Sequence, residues 1–191
     1  VVGKKVVEWM TLEEGEVEVE GKYHILDENG IRIFLPSEFK RYSMAEYQQV
    51  LKKLLKEEDF KVQIATLNQK KAMEGEMYIY FEEVSRSTCT VHALPFMPMS
   101  KSEAKQVLGI MRMSNEKVLD SNTEYTKITA KYVGAPQNYF FKSIYRIHNK
   151  KTNVELFNSV YLVTRDEQTI LFQLSTGSPV YFDPFVHKIE L

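Results

Sequence analysis

Tyr139-Phe140-Phe141-Lys142-Ser143-Ile144-Tyr145-Arg146-Ile147-His148, the polar break Asn149-Lys150-Lys151-Thr152-Asn153, and the run from Val154 to Thr164 decide the fold. Rich in aromatic and β-branched residues and bounded by turn-forming residues, they read as two strands joined by a hairpin. Side chains alternate across a strand. One face of the first therefore carries Tyr139, Phe141, Tyr145 and Ile147, and the other carries Phe140, Lys142, Ile144 and Arg146. The first face is core-like, and the second mixes apolar with basic side chains.

The same pattern continues on both sides. Tyr125 to Val133 precedes it across Gly134-Ala135-Pro136-Gln137-Asn138, and Thr169 to Ser175 follows across Arg165-Asp166-Glu167-Gln168. Short polar connections between four such runs predict an antiparallel meander. Beyond it, Asp183, followed by Pro184, is expected to cap a short closing helix that runs to Ile189.

Towards the N-terminus two helices punctuate the strands. Ser43 and Glu46 form a capping box, followed by an apolar stripe of Tyr47, Val50, Leu51, Leu54 and Leu55. Ser100 and Glu103 repeat that logic ahead of Ala104, Val107, Leu108 and Met111. Between them, Phe60 to Leu67, Met77 to Val84 and Thr88 to Leu94 are strand-like. Further upstream, Tyr23 to Leu26 and Ile31 to Leu35 flank Asn29-Gly30, a strong hairpin signal, and Pro36 ends the return strand. Glu16-Val17-Glu18-Val19-Glu20 alternates as a half-exposed strand. Only two helices interrupt the strands, so parallel βαβ winding is not expected. The fold class is α+β: an antiparallel β-sheet of about seven to nine strands flanked by two main helices. Residues 1–15 are expected to form a flexible N-terminal segment, and 16–191 a single α+β domain.

Composition narrows the function classes. Over 191 residues, 25 Lys and Arg against 26 Asp and Glu give a net charge of −1, without the basic excess of a nucleic-acid binder. A single cysteine, Cys89, precludes an intramolecular disulfide and any Cys-rich zinc site. No apolar run reaches the 18 residues that a membrane-spanning helix requires.

The segment Gly30-Ile31-Arg32-Ile33-Phe34-Leu35-Pro36-Ser37-Glu38-Phe39 resembles the start of PsbP-like domains, in which a hairpin strand runs through glycine and alternating apolar residues to a proline and then an aromatic. Phe39 stands where a Trp is commoner. The later order is also similar: strands, a helix opening like Ser100-Lys101-Ser102-Glu103, then a meander and a short terminal helix. The resemblance covers residues 16–191 and implies an α/β/α sandwich around an antiparallel sheet. The family includes photosystem accessory subunits, bacterial envelope proteins and binding or chaperone-like modules, with no shared catalytic residues to transfer. The resemblance thus implies a bacterial cell envelope, with the export signal absent from this chain and cytoplasm as the alternative.

Local catalytic signatures are lacking. Cys89 and His92 are near one another in sequence, but a spacing of three puts them on opposite faces of a strand, so Cys89 is expected to be buried and inert. The histidines at 24, 92, 148 and 187 are dispersed, with no His-x-His or His-Glu-x-x-His. Glu16, Glu18 and Glu20 share a straight strand face, not the curved loop that Ca²⁺ favours. No phosphate-binding glycine loop or nucleophile elbow occurs. Lys70-Lys71 and Lys150-Lys151 read as solvated turn charges. Neither a metal nor a cofactor is expected.

Two apolar, proline-containing loops stand out: Leu94-Pro95-Phe96-Met97-Pro98-Met99 and Ser178-Pro179-Val180-Tyr181-Phe182-Asp183-Pro184-Phe185. Loops are usually polar and superficial, and Met and aromatic residues suit contact surfaces. We expect Phe96, Met97, Met99, Tyr181, Phe182 and Phe185 to form a partner-binding surface at one rim, with lids folded over the sheet as the alternative. The expected function is a non-catalytic protein-interaction or accessory module whose partner is another protein. One alternative is a small hydrophobic-ligand carrier using Tyr139, Phe141, Tyr145 and Arg146. Another is an enzyme whose site is assembled from dispersed carboxylates with His148 or His92.

Overall fold

A computed structural model of the chain describes residues 18–26, 30–117 and 121–191. The expected strand at Glu16–Glu20 lies partly outside them, and Glu18, Val19 and Glu20 carry no strand. β1 (Lys22–Leu26) and β2 (Ile31–Leu35) form an antiparallel hairpin with Leu26 opposite Ile31. β3 (Lys40–Tyr42), β4 (Glu76–Glu82), β5 (Ser87–Leu94) and the meander β6 (Thr123–Ala135), β7 (Asn138–Asn149), β8 (Val154–Arg165) and β9 (Gln168–Thr176) build a seven-stranded antiparallel sheet. Its order is β3-β4-β5-β9-β8-β7-β6, so the last strand of the meander joins β5 at the centre and β6 is left at an edge. The β6–β7 register shifts at a bulge between Lys127 and Thr129. At the tight β6–β7 turn Gly134 has φ +109°, and a Cβ there would lie 2.2 Å from the Asn138 carbonyl oxygen, so glycine is required.

The helices are α1 (Met44–Leu54), α2 (Glu57–Lys71), α3 (Lys101–Glu116) and the short α4 (Asp183–His187). α1 has the expected capping box: the Glu46 amide donates to Ser43 Oγ, and the Ser43 amide donates to Glu46 at 2.7 Å. Ser100 and Glu103 do the same ahead of α3. The strand expected over Phe60–Leu67 is instead the middle of α2. Glu57, Glu58 and Asp59 in its first turn and Lys70 and Lys71 in its last complement the helix dipole.

Neighbouring residues of β8 and β9 separate the core into two layers. Tyr161, Val163, Ile170 and Phe172 face one way, into a core closed by the β1–β2 hairpin, Phe39, Phe182, Phe185, Val186 and Ile189. Leu162 and Leu171 face the other way, where helices cover the sheet in two separate clusters. α3 contributes Ala104 and Leu108 over Tyr139 and Phe141, while α1 and α2 place Tyr47, Leu51 and Leu67 over Ile79 and Phe81 of β4. The result is a sheet with a continuous hairpin-and-helix cover on one face and a divided helical cover on the other.

Candidate functional site

The division on the helical face opens a cavity of about 260 Å³. Leu162 and Leu171 lie in its lining beside Leu94. Met73 and Glu74 come from the chain after α2, Val107 from α3, and Pro95, Phe96 and Met97 from the β5–α3 loop. The loop is held by backbone and side chain together: the Met97 amide donates to Thr169 Oγ1 at 3.0 Å, and the Met97 carbonyl accepts from Tyr139 Oη at 2.9 Å. The Met99 carbonyl accepts from Tyr132 Oη at 2.8 Å. Anchored at those points, the loop leaves Phe96 40% exposed, Met97 half-buried and Met99 buried.

Outside the cavity lining, two residues along β9 from Leu171, the helical face of the sheet turns polar. β5 and β9 pair His92 with Leu171 and Thr90 with Gln173. Lys70, on the last turn of α2, reaches over them. Its Nζ lies 3.5 Å from Thr90 Oγ1, which in turn lies 3.5 Å from Gln173 Oε1. Burial pushes the Lys70 ammonium down to about 8. His92 Nε2 meets the Lys70 carbonyl at 2.9 Å, and Nδ1 is buried with no hydrogen-bond partner. Burial also lowers the pKa of His92. Cys89, on the opposite face of β5 from His92, is fully buried, and its thiol is pushed up to about 12. At that value it is not a nucleophile at neutral pH.

The residues singled out from sequence are divided between the two faces. Phe96, Met97 and Met99 belong to the helical face, whereas Phe182 and Phe185 are buried in the other core layer and Tyr181 is half-buried beside them. The two apolar loops do not meet at one rim, because the meander leaves α3 and α4 on opposite sides of the sheet. Tyr139 and Phe141 are buried under α3, and Tyr145 packs on Tyr125 and under the Arg112 guanidinium. Arg146 faces the other way and pairs with Glu155, so it is not brought together with those three rings. His148 bonds Asn153, away from His92. Among the described residues no group of three or more His, Cys, Asp or Glu is placed to hold a metal ion, and no helix is long and apolar enough to cross a membrane. Lys70, read from sequence as a solvated turn charge, is the site residue that reading missed. Its signal was present in the helical spacing that sets it one turn after Leu67, but only once 57–71 is read as a helix.

The other core layer holds a second interior polar group. Lys142 is 2% exposed and donates to Asp183 Oδ2 at 2.7 Å, and Tyr161 Oη donates to Asp183 Oδ1 at 2.9 Å. Asp183 therefore does not cap α4, which lacks a side-chain cap. It fastens α4 to β7 and β8.

No family model and no curated protein sequence matches the chain. Solved structures do. The solution structure of cyanobacterial PsbP (CyanoP) from Synechocystis sp. PCC 6803 is similar with a TM-score of 0.56 and 13% identity, over 93% of this chain and 96% of that one. The crystal structure of the Saccharomyces cerevisiae Ran-binding protein Mog1p is similar with a TM-score of 0.53 and 11% identity, over 91% of this chain and 96% of that one. An E65A mutant of Mog1 gives 0.52 and 10%, over 90% and 96%. At such identities the likeness concerns the fold alone, and the chain has the PsbP-like fold that CyanoP and Mog1p share.

Proposed function

We propose that this chain is a non-catalytic protein-interaction module that contacts its partner through the outer flank of α3 and the adjoining β5–α3 loop. The observation that carries this reading is a line of uncovered apolar side chains. Phe96 is 40% exposed, Ile110 65% and Met113 60%. With half-buried Val107, residues 110 and 113 follow at helical spacing along one flank of α3, and Phe96 and Val107 line the same cavity. Apolar side chains grouped in this way are typical of contact sites, whereas scattered ones are not. Phe96 and Met97 carry the sequence expectation into this surface. Tyr181, Phe182 and Phe185 pack on the opposite face, where only Tyr181 retains appreciable exposure among the three. The name of Mog1p, a Ran-binding protein of the same fold, supports a role in binding another protein. The bacterial cell envelope is the proposed compartment, on the resemblance to a cyanobacterial protein.

The test is site-specific photocrosslinking in the native cell, with a photoreactive residue at position 113 or at position 84. Val84 is 94% exposed in the β4–β5 turn and serves as the control. A discrete protein adduct from 113 that is absent from 84 and lost in the Phe96→Ser/Ile110→Ser variant is expected. Identical adduct patterns from both positions would remove α3 as the contact surface.

A further inference from the structure

The methionines are distributed unevenly between the two faces of the sheet. Among the described residues the hairpin core holds none, and neither does the small cluster around Ile144 and Phe157. On the helical face Met73, Met97 and Met99 belong to the α3 cluster, and Met44 and Met77 to the cluster under α1 and α2. Met113, on the outer flank of α3, is 60% exposed, whereas Met99 is 5% exposed and Met44, Met73, Met77 and Met97 are half-buried.

We propose that Met113 is a site of reversible oxidation, at which hydrogen peroxide converts the thioether to a sulfoxide and so switches off the α3 contact surface; the switch rests on the reading of that flank as a docking surface. In the step, a sulfur lone pair of Met113 attacks one peroxide oxygen. An S–O bond forms as the O–O bond breaks, and the other oxygen leaves as water once it has taken the proton. The sulfur is oxidised by the two electrons that reduce the peroxide. A solvent-borne oxidant must reach the sulfur, so exposure ranks the methionines, with Met113 first and Met99 last. The first oxygen therefore lands on the contact surface and leaves the hairpin core unmodified. Its product is a polar side chain where a flexible apolar one stood. Next to Ile110 at helical spacing, the sulfoxide oxygen has to shed its water when a partner covers the flank, which opposes docking. Methionine sulfoxide reductase restores the thioether.

Peptide mass mapping of the full chain after limited hydrogen peroxide treatment tests the site without any partner. Met113 is expected to gain its oxygen at least about tenfold faster than Met99, whose sulfur reacts only when the fold opens locally. A Met113 rate no higher than that of the half-buried methionines overturns the assignment. Photocrosslinking from position 110 tests the switch, the chain being oxidised to one oxygen per molecule before it meets an extract of the native cell. The protein adduct should fall about tenfold, the scale set by an unpaired polar oxygen in a dry contact, and should return after treatment with the reductase. Met113→Leu, which conserves volume, should keep its adduct through the same exposure to peroxide. An adduct that survives oxidation of Met113, or that is lost equally from the Met113→Leu chain, overturns the switch. Without an adduct from position 110 before oxidation, the docking reading and the switch fall together, while the mass mapping decides the oxidation site by itself.

Discussion

Two lysines enter the interior from opposite sides of one sheet, and they are treated differently. Lys142 is answered by the Asp183 carboxylate, itself fixed by Tyr161, inside a layer closed by the β1–β2 hairpin and α4. Lys70 is answered by a hydroxyl at 3.5 Å, beside a cavity between two helical clusters. The first arrangement is complete without any other molecule. The second leaves a partly buried ammonium with no carboxylate within ion-pair distance among the described residues. The hairpin face thus pairs its interior charge within the chain, whereas the helical face leaves its lysine without a carboxylate partner among the described residues.

The largest effect should come from breaking the complete side. Asp183→Ala removes the carboxylate that answers the buried Lys142 and the acceptor of Tyr161, and should lower unfolding free energy by about 3–5 kcal/mol in urea titration. Replacing both charges, as Lys142→Met/Asp183→Leu, should recover much of that loss. A cost below about 1 kcal/mol for Asp183→Ala would erase the contrast between the two lysines.

Lys70→Met should act in the opposite direction and raise stability at pH 7 by about 1–3 kcal/mol. The folded-state pKa of about 8 lies below the ordinary 10.5, so the unfolded chain binds the proton more tightly. The penalty is therefore complete below about pH 8 and fades as the pH rises towards 10.5. Thermal melts at pH 7 and pH 10 should show the advantage of the methionine variant at the lower pH only.

A smaller change concerns His92, whose pKa is held down by burial. The folded state resists its protonation, so stability falls as the pH drops below the ordinary 6.5. His92→Gln, which keeps a donor for the Lys70 carbonyl, should flatten the fall seen in denaturant titrations between pH 7 and pH 5. His24 and His187 are also depressed by burial, so part of the acid sensitivity should persist. The smallest effect is expected on the outer flank of α3. Ile110→Ser/Met113→Ser should move stability by no more than about 0.5 kcal/mol, since both side chains already stand in water.

Legibility in the sequence followed the strength of local signals. Capping pairs such as Ser43 with Glu46 act over three residues, and the meander turns are short and polar, so α1, α3 and β6 to β9 could be placed from residues alone. α2 could not, because Phe60, Val62 and Ile64 fall at a period of two and the helix lacks a clean apolar stripe. The misreading hid Lys70, whose interior position depends on the helical turn after Leu67. The separation of the two apolar loops was also beyond local reading. It is set by the pairing of β9 with β5 across the centre of the sheet, a contact between residues about eighty positions apart.

The long edge strand β6 has a collective consequence. Among the described residues no strand pairs with its outer side, the template on which a second molecule could add a strand and a fibre could grow. Two features interrupt such growth. The bulge between Lys127 and Thr129 throws an incoming strand out of phase beyond that point, and exposed Lys127 and Lys131 bring like charges together when two such edges meet. Concentrated solutions should therefore stay free of fibres while those lysines remain charged, and acetylation of the two would expose the edge to polymerisation.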